Sequence, residues 1–563
     1  MNSSYQKYRS FQPIAKPNRR WPDRRIERAP IWCSVDLRDG NQALINPMNL
    51  QEKLEMFRLL CEIGVKEIEV GFPSASETEY EILRTLIEGG YIPDDVTVQV
   101  LVQAREHLIR RTFEAIEGAK NVIFHFYNST SALQRRVVFR SDMEGIVEIA
   151  AQGARLIKQL GDAARARTGV NLRYEYSPES YMGTEPENAL WVCRRVMEEL
   201  GASAEDKVIL NLPSTVENCL PSQFADLIED FCDRLPNRAA AIISLHPHND
   251  RGTATATAEL GLLAGADRLE GTLFGNGERT GNCDMVNVAM NMFTQGVDPR
   301  LDFSDIGRVR AFYERVTKLP VHARHPYAGD LVFTAFSGSH QDAINKGHLW
   351  MREQKGDYWE IPYLPLDPAD VGRQYEPVVR INSQSGKGGA AFVMEQGFGY
   401  RLPKAMHPEF GAAVKAYCDA AGREITPDEV LGIFKREYSE YQGKLTLLSH
   451  RFVEIEDPNE ESYVHFEGKV LRDGGAVVPI AGDGNGPINA ACNALNQLGL
   501  EGYRFVDYFE HAVGAGADAT GVAYIQVQAP SGKMRFGVGQ SPNINTAAVL
   551  GVLCAVNRDL GGE

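Results

Sequence analysis

Between about residue 30 and residue 325 the chain repeats one pattern eight times, a short apolar run followed by an amphipathic helical stretch. The apolar runs are Ile31–Leu37, Lys66–Phe72, Val96–Val102, Asn121–Tyr127, Val170–Tyr176, Lys207–Leu212, Ala239–Leu245 and Asp267–Leu273. Helical spacing marks Leu50–Ile63, Ser141–Gln159, Pro186–Leu200 and Thr253–Ala264 between them. Strand–helix alternation implies a parallel sheet. Eight units in this length predict a closed (β/α)₈ barrel over residues 30–329 rather than an open doubly wound sheet. The first strand is not followed by G-x-G-x-x-G, which further disfavours a dinucleotide fold.

The pattern stops after the barrel. Residues 330–443 mix helical stretches with polar, aromatic-rich loops and read as linker subdomains. Their glycine cluster, Ser385-Gly386-Lys387-Gly388-Gly389, reads as a flexible junction without P-loop spacing. Residues 444–563 read as an α+β domain with an internal repeat. Ala476–Ala481 and Met534–Val538 each run through Gly, Pro and Ile-Asn into a helix, which suggests a pseudo-two-fold. The glycine turns leave backbone N–H groups free at helix N-termini, which suits a small carboxylate. A duplicated structural unit without a ligand fits the same pattern.

A chain of 563 residues exceeds one core and implies two to four domains. The net charge of −16 argues against a nucleic-acid or anionic-membrane surface. No apolar run approaches the roughly 20 residues needed to span a bilayer. Residues 1–29 are instead basic but lack the apolar core of a secretory signal, so they read as a surface arm packed on the body. The nine cysteines contain no C-x-x-C and read as reduced residues of a cytoplasmic protein.

In a barrel of this kind the active site lies at the C-terminal ends of the strands. Those ends are polar: Asp36-Leu37-Arg38-Asp39-Gly40-Asn41-Gln42, His125 to Thr130, Glu175 to Glu179, Asn211 to Glu217, His246-Pro247-His248, and Gly275 to Asn282. His246 and His248 stand two apart after a strand, so both rings can reach one ion. A polar turn with two chance histidines satisfies the same spacing. Asp39 adds a carboxylate and Asn282 a weaker oxygen. Mixed N/O donors with open positions suit a catalytic divalent cation, Mg²⁺, Mn²⁺ or Zn²⁺. A 2-oxo acid could chelate such an ion, which would polarise its carbonyl. Arg38 is placed to hold charge developing there, or else to pair with Glu69, Glu175 or Glu179. His125, Ser177 and Thr215 are candidates for a substrate carboxylate, and Glu179 for acid/base work or orientation.

These motifs together resemble the 2-isopropylmalate synthases of the longer subtype, from about residue 20 to the end. The carriers are Asp36-Leu37-Arg38-Asp39-Gly40-Asn41-Gln42-Ala43-Leu44, His246-Pro247-His248-Asn249-Asp250-Arg251-Gly252 and Gly275-Asn276-Gly277-Glu278-Arg279-Thr280-Gly281-Asn282. The resemblance implies a Claisen-type condensation of acetyl-CoA with 3-methyl-2-oxobutanoate, the committed step of leucine biosynthesis. It implies a divalent metal on Asp39, His246 and His248 with Asn282 close by, and K⁺ as an activator. It implies oxo-acid contacts at Arg38, His125, Ser177 and Thr215 and a catalytic Glu179. His340 in Ser337-Gly338-Ser339-His340-Gln341-Asp342, and Tyr363, would reach a partner subunit's site, which implies a homodimer. Gly484, Asn485, Gly486, Ile488, Tyr508 and Ala512 match leucine-binding positions. The second repeat departs from the family's Gly-Ile-Asp with Gly539-Gln540-Ser541-Pro542, which bears on the strength of leucine inhibition. Homocitrate synthase, citramalate synthase and metal-dependent lyases or aldolases share the barrel and are the alternatives.

Overall fold

The computed structural model describes residues 6–561 apart from 336, 355–356, 376–385, 423–424, 456–462 and 515–518. They form two compact units, one of residues up to Phe333 with Leu366–Gln374, the other of Thr334–Pro365 with the residues from Tyr375 on. No helix among the described residues is long and apolar enough to cross a membrane.

In the first unit eight parallel strands close in sequence order: β1 (Ile31–Ser34), β2 (Glu67–Gly71), β3 (Thr97–Gln103), β4 (Asn121–Ser129), β5 (Asn171–Glu179), β6 (Val208–Ser214), β7 (Ala241–Pro247) and β8 (Arg268–Gly271). β8 returns to β1 with Ile31 opposite Arg268 and Cys33 opposite Glu270. Alternate side chains point outward under the helices. Leu245 packs against Gly261 so closely that a Cβ there would lie 2.4 Å from Leu245 Cδ1. The other half point inward, and many are charged or polar: Glu67, Glu69, Gln99, Glu175, Asn211, Ser244, Arg268 and Glu270 are all buried.

All eight expected strands form, with shifted ends. The first stops at Ser34, and Asp36–Gly40 is a wide helical turn instead of strand. The last stops at Gly271, short of Leu273. The helix expected over Ser141–Gln159 runs Met143–Thr168, because its apolar face continues to Gly161 and Gly169 ends it at a positive φ of 71°. The basic arm lies along the acidic face of the helix Pro221–Arg234. Lys16 pairs with Asp233 at 2.6 Å and Arg19 with Asp226 at 2.6 Å, while the Trp21 indole donates to Asp226 at 3.0 Å.

The glycine cluster expected to be a flexible junction corrects to helix. Gly386, Gly388 and Gly389 lie in Gly386–Phe398, whose Ala390, Val393 and Met394 are buried; Ser385 lies outside the described residues. Burial of one apolar face outweighs the poor helix propensity of glycine.

The end of the second unit is a duplicated strand–strand–strand–helix. β9 (Leu445–Ile455), β10 (Tyr463–Arg472) and β11 (Ala476–Gly484) form one antiparallel sheet followed by the helix Pro487–Ala494. β12 (Arg504–Val513), β13 (Thr520–Gln528) and β14 (Met534–Ser541) form the other, followed by Ile544–Leu560. Glycine lets each helix lie on its strand: a Cβ at Gly539 would sit 1.9 Å from Ala547 O, and one at Gly482 2.5 Å from Ala494 N. Phe466, Ile480, Ala490, Ile525 and Val552 share one core.

Asp36, buried beside Leu273, gives a test of the barrel rim. Burial pushes its carboxyl up to about 7, against hydrogen bonds from Ser34 and the Leu273 amide. A raised acid favours the protonated folded state, so its contribution to stability is present at acid pH and lost as pH rises through about 7. Asp36→Asn should therefore melt close to the parent near pH 4 and above it by pH 7, the gap widening by on the order of 1 kcal/mol per pH unit between those values and then staying level. Melting temperatures of both proteins across that range check it.

Candidate active site

The turn Asp36–Gly40 closes when the Gly40 amide bonds Val35 O at 3.0 Å. The Leu273 amide donates to Asp36 Oδ1 at 3.1 Å and the Asn276 amide to Gly40 O at 2.9 Å, so the loops after β1 and β8 brace each other. The turn carries Arg38 and Asp39. His246 lies in β7 and His248 just beyond it, opposite Asn282.

Asp39, His246 and His248 converge, their ligand atoms all within 4.8 Å of one another. Asp39 Oδ2 is 3.2 Å from His246 Nε2 and 3.6 Å from His248 Nε2. The other nitrogen of His246 bonds Glu270 at 2.7 Å, which aims Nε2 at Asp39. Burial disfavours a charged His246, but Asp39 and Glu270 outweigh it and raise its pKa to about 9. Burial, then the neighbouring His246, depresses His248 to about 3. Burial would raise Asp39; Arg38 and the two histidines hold it well below the usual carboxylate range. The donor set fits a divalent cation. One carboxylate and two imidazoles meet in a buried pocket, His246 lies between Asp39 and Glu270, and Asn282 Oδ1 is buried without a hydrogen-bond partner.

Arg38 ion-pairs with both Glu69 and Asp39, the latter at 3.1 Å. The ion-pair reading of Arg38 holds with Glu69, and Arg38 also lines the cavity. Burial opposes its charge, yet these carboxylates keep it charged. His125 bridges Glu69 at 2.8 Å and Ser177 at 2.8 Å, and Asn211 donates to Ser177 at 3.0 Å. Glu179 accepts from Ser129. Thr215 Oγ1 accepts from the Ser180 amide at 2.9 Å. Arg38, Asp39, His125, Ser177, Glu179, Thr215, His246 and His248 all line one cavity of about 330 Å³, with Phe72, Leu101 and Pro213 as its apolar walls; Asn282 does not line it.

His340 and Tyr363 belong to the second unit. Their rings stack at 3.9 Å, with Tyr363 at a positive φ of 66°. Asn485, Gly486, Ile488 and Tyr508 line a cavity of about 590 Å³ formed by the turn after β11, the helix Pro487–Ala494 and β12, whereas Gly484 and Ala512 do not line it. Gln99 and Glu270, which support the site from below, were missed in the sequence, and Asn211, Gln42, Glu278 and Arg279, which line it, stood in the polar strand-end segments without a role. The signal was available: charges recur two apart inside apolar strands, as in Glu67-Ile68-Glu69 and Arg268-Leu269-Glu270, which marks a polar inner barrel face.

Residues 29–312 match the HMGL-like family, 330–395 the alpha-isopropylmalate synthase post-catalytic domain-like family, and 424–560 the LeuA allosteric (dimerisation) domain. The 2-isopropylmalate synthase of Clostridium acetobutylicum is 53% identical over 98% of this chain and 99% of its own length. That of Rhodospirillum rubrum is 53% identical over 98% of each. The chain belongs to the 2-isopropylmalate synthase family. That of Rhizobium meliloti, at 50% over 98% of each chain, agrees. In this family setting the HMGL-like match coincides with the closed barrel and its convergent donors.

Glu270→Gln should weaken metal binding about 10- to 100-fold, since His246 loses the acceptor that orients it and raises its basicity. Titration of the metal-free protein with Mn²⁺ or Zn²⁺ measures this; an unchanged affinity would show that Glu270 does not support the site.

Proposed function

We infer that this chain condenses acetyl-CoA with 3-methyl-2-oxobutanoate and water to give 2-isopropylmalate and CoA. The observation that carries the reading is the convergence of Asp39, His246, His248 and a charged Arg38 at the mouth of the barrel, in a chain 53% identical to a 2-isopropylmalate synthase over nearly its whole length. Asp39, His246 and His248, with Asn282 beside them, would hold a divalent cation that supplies Lewis acidity to the oxo-acid carbonyl. Mg²⁺, Mn²⁺ and Zn²⁺ all suit these donors, and K⁺ activation belongs to the same family reading.

Arg38 keeps its charge and offers N–H groups to the oxyanion as the new carbon–carbon bond forms. His125, Ser177 and Thr215 supply hydrogen bonds to the substrate carboxylate. Phe72, Leu101 and Pro213 offer a branched apolar side chain its walls. A second carboxylate, as on 2-oxoglutarate, would want a free cation, but the cavity's Arg38 is paired with Glu69 and Asp39 and its Arg279 with Asp250. This favours the short branched acid over the substrate of homocitrate synthase.

The acetyl methyl must lose a proton. His340 takes it in this reading, delivered by a partner copy of the chain, with Glu179 orienting the ring and Tyr363 stacked on it. Water then cleaves the thioester and releases CoA. The match to a LeuA allosteric (dimerisation) domain supports a homodimer with leucine as effector, bound where Asn485, Gly486, Ile488 and Tyr508 line the C-terminal cavity; Gly484 and Ala512 match leucine-binding positions without lining it.

Free CoA release followed over a panel of 2-oxo acids should be largest with 3-methyl-2-oxobutanoate. Release confined to 2-oxoglutarate, or none with any acid, would overturn the assignment. His340→Ala should lose about 10²-fold or more of turnover while oxo-acid binding changes little; equal loss of both contradicts the base. Leucine should inhibit the parent, and Tyr508→Ala should raise the leucine concentration for half-inhibition about tenfold with basal turnover intact.

A further inference from the structure

We propose that Arg279, clamped by Asp250, is a positioning residue that holds Thr215 in the place where it meets the oxo acid. The inference rests on the reading of Thr215 as an oxo-acid contact. Arg279 stands in the loop after β8. Its guanidinium grips the Asp250 carboxylate with two N–H groups at 2.7 and 3.1 Å, and its Nη2 also donates to the Thr215 carbonyl at 2.6 Å. Asp250 stands in the loop after β7 and accepts from the Glu217 amide at 2.9 Å. The segment 215–217 after β6 is therefore pinned at both ends by one ion pair, at the Thr215 carbonyl and the Glu217 amide.

The anchor continues inward. The buried Glu217 carboxylate accepts from the Arg251 amide at 2.6 Å and from the hydroxyls of Thr253 and Thr257. Backbone bonds join the same loops at another level: His248 N to Ser214 O at 3.2 Å and Asn249 N to Gly281 O at 2.9 Å. Arg279 itself holds φ at 58°, a left-handed conformation uncommon for a residue with a side chain. Such conformations persist where surroundings over-determine them, and they cluster at functional sites. As a half-exposed surface pair, Arg279–Asp250 would contribute little to stability. Its value is geometric, because the planar fork fixes three loops at once. With the Arg279 fork removed, the Thr215 carbonyl loses its tether, and the Ser180 amide remains to fix its hydroxyl.

The test compares Arg279→Gln, Arg279→Lys, Thr215→Ala and the Thr215→Ala/Arg279→Gln double variant in the full-length, Mn²⁺-loaded enzyme. KM for each substrate, kcat and bound metal per chain are measured. Arg279→Gln should raise KM for 3-methyl-2-oxobutanoate about tenfold, with KM for acetyl-CoA and metal content within about twofold of the parent. Arg279→Lys should fall between, since an ammonium cannot serve carboxylate and carbonyl in the same fork. In the Thr215→Ala background Arg279→Gln should add less than about twofold, because both changes act through one contact. Full additivity, or a rise in KM for acetyl-CoA alone, overturns the proposal; the latter would mean that Arg279 meets the CoA directly. A silent Arg279→Gln beside a defective Thr215→Ala overturns it while leaving the oxo-acid reading intact. An unchanged KM in Thr215→Ala overturns both. If Arg279→Gln does not fold, Arg279→Lys, alone and combined with Thr215→Ala, decides by the same criteria.

Discussion

Inside the barrel the guanidinium of Arg268 has no solvent exposure, and the arrangement above it follows from how that charge is compensated. Its Nε pairs with Glu67 at 2.6 Å, one terminal nitrogen reaches Glu270 and Ser244 at 2.8 Å each, and the other bonds Gln99 at 2.7 Å. A buried charge is tolerable only when its partners are close and its N–H groups are used. Burial would raise Glu270, but Arg268 and His246 hold it well below the usual range. Burial drives Glu175 the other way, and its two oxygens have no hydrogen-bond partner. Burial thus favours the neutral form of Glu175, while Arg268, with Arg173 on Glu67 and Arg38 on Glu69, favours the charged form of the other inner acids.

From this layer the polarity passes upward through hydrogen bonds. Glu270 grips His246, His246 faces Asp39, Asp39 pairs with Arg38, and Arg38 pairs with Glu69. Glu69 holds His125, which bonds Ser177. Gln99 donates to both Glu69 and Glu270, so the chain of bonds closes on itself. A closed network of this kind fixes rotamers in a low-dielectric interior, where an unmade bond is costly. The bonds hold the donors in fixed positions, which lowers the reorganisation needed during reaction.

The C-terminal duplication follows a different constraint. Each of its sheets must accept a helix at close range, and glycine at the crossing point is what permits it. Gly482 in β11 and Gly539 in β14 occupy matching places in the two copies. The departure in the second repeat, Gln540-Ser541-Pro542, falls at the end of β14 and the turn beyond it, where Asn543 caps the last helix through the amides of Asn545 and Thr546. The cavity lined by Asn485, Ile488 and, from β12, Tyr508 contains none of these residues in its walls.

Local pattern was enough for the barrel, for the paired histidines and for the repeat. Alternation of apolar runs with helical spacing is a property of neighbouring residues, and a period of two places His246 and His248 on one side of any strand. Asp39 could be named for the same reason, as a carboxylate at a strand end. Other features needed the closed structure. Whether Arg38 is free or paired depends on Glu69, 31 positions away, and the basicity of His246 depends on Glu270 across two strands. The turn at Asp36–Gly40 interrupts an apolar run because its own Asp36 carboxylate, just past β1, finds the Leu273 amide of the β8 loop. The helix through Gly386–Phe398 forms where local propensity opposes it, because burial of one face outweighs glycine's entropy. Sequence alone thus determined which groups could act and on which strands they stand; the tertiary structure decided their charge, partners and aim, since those depend on burial and on atoms distant in the chain.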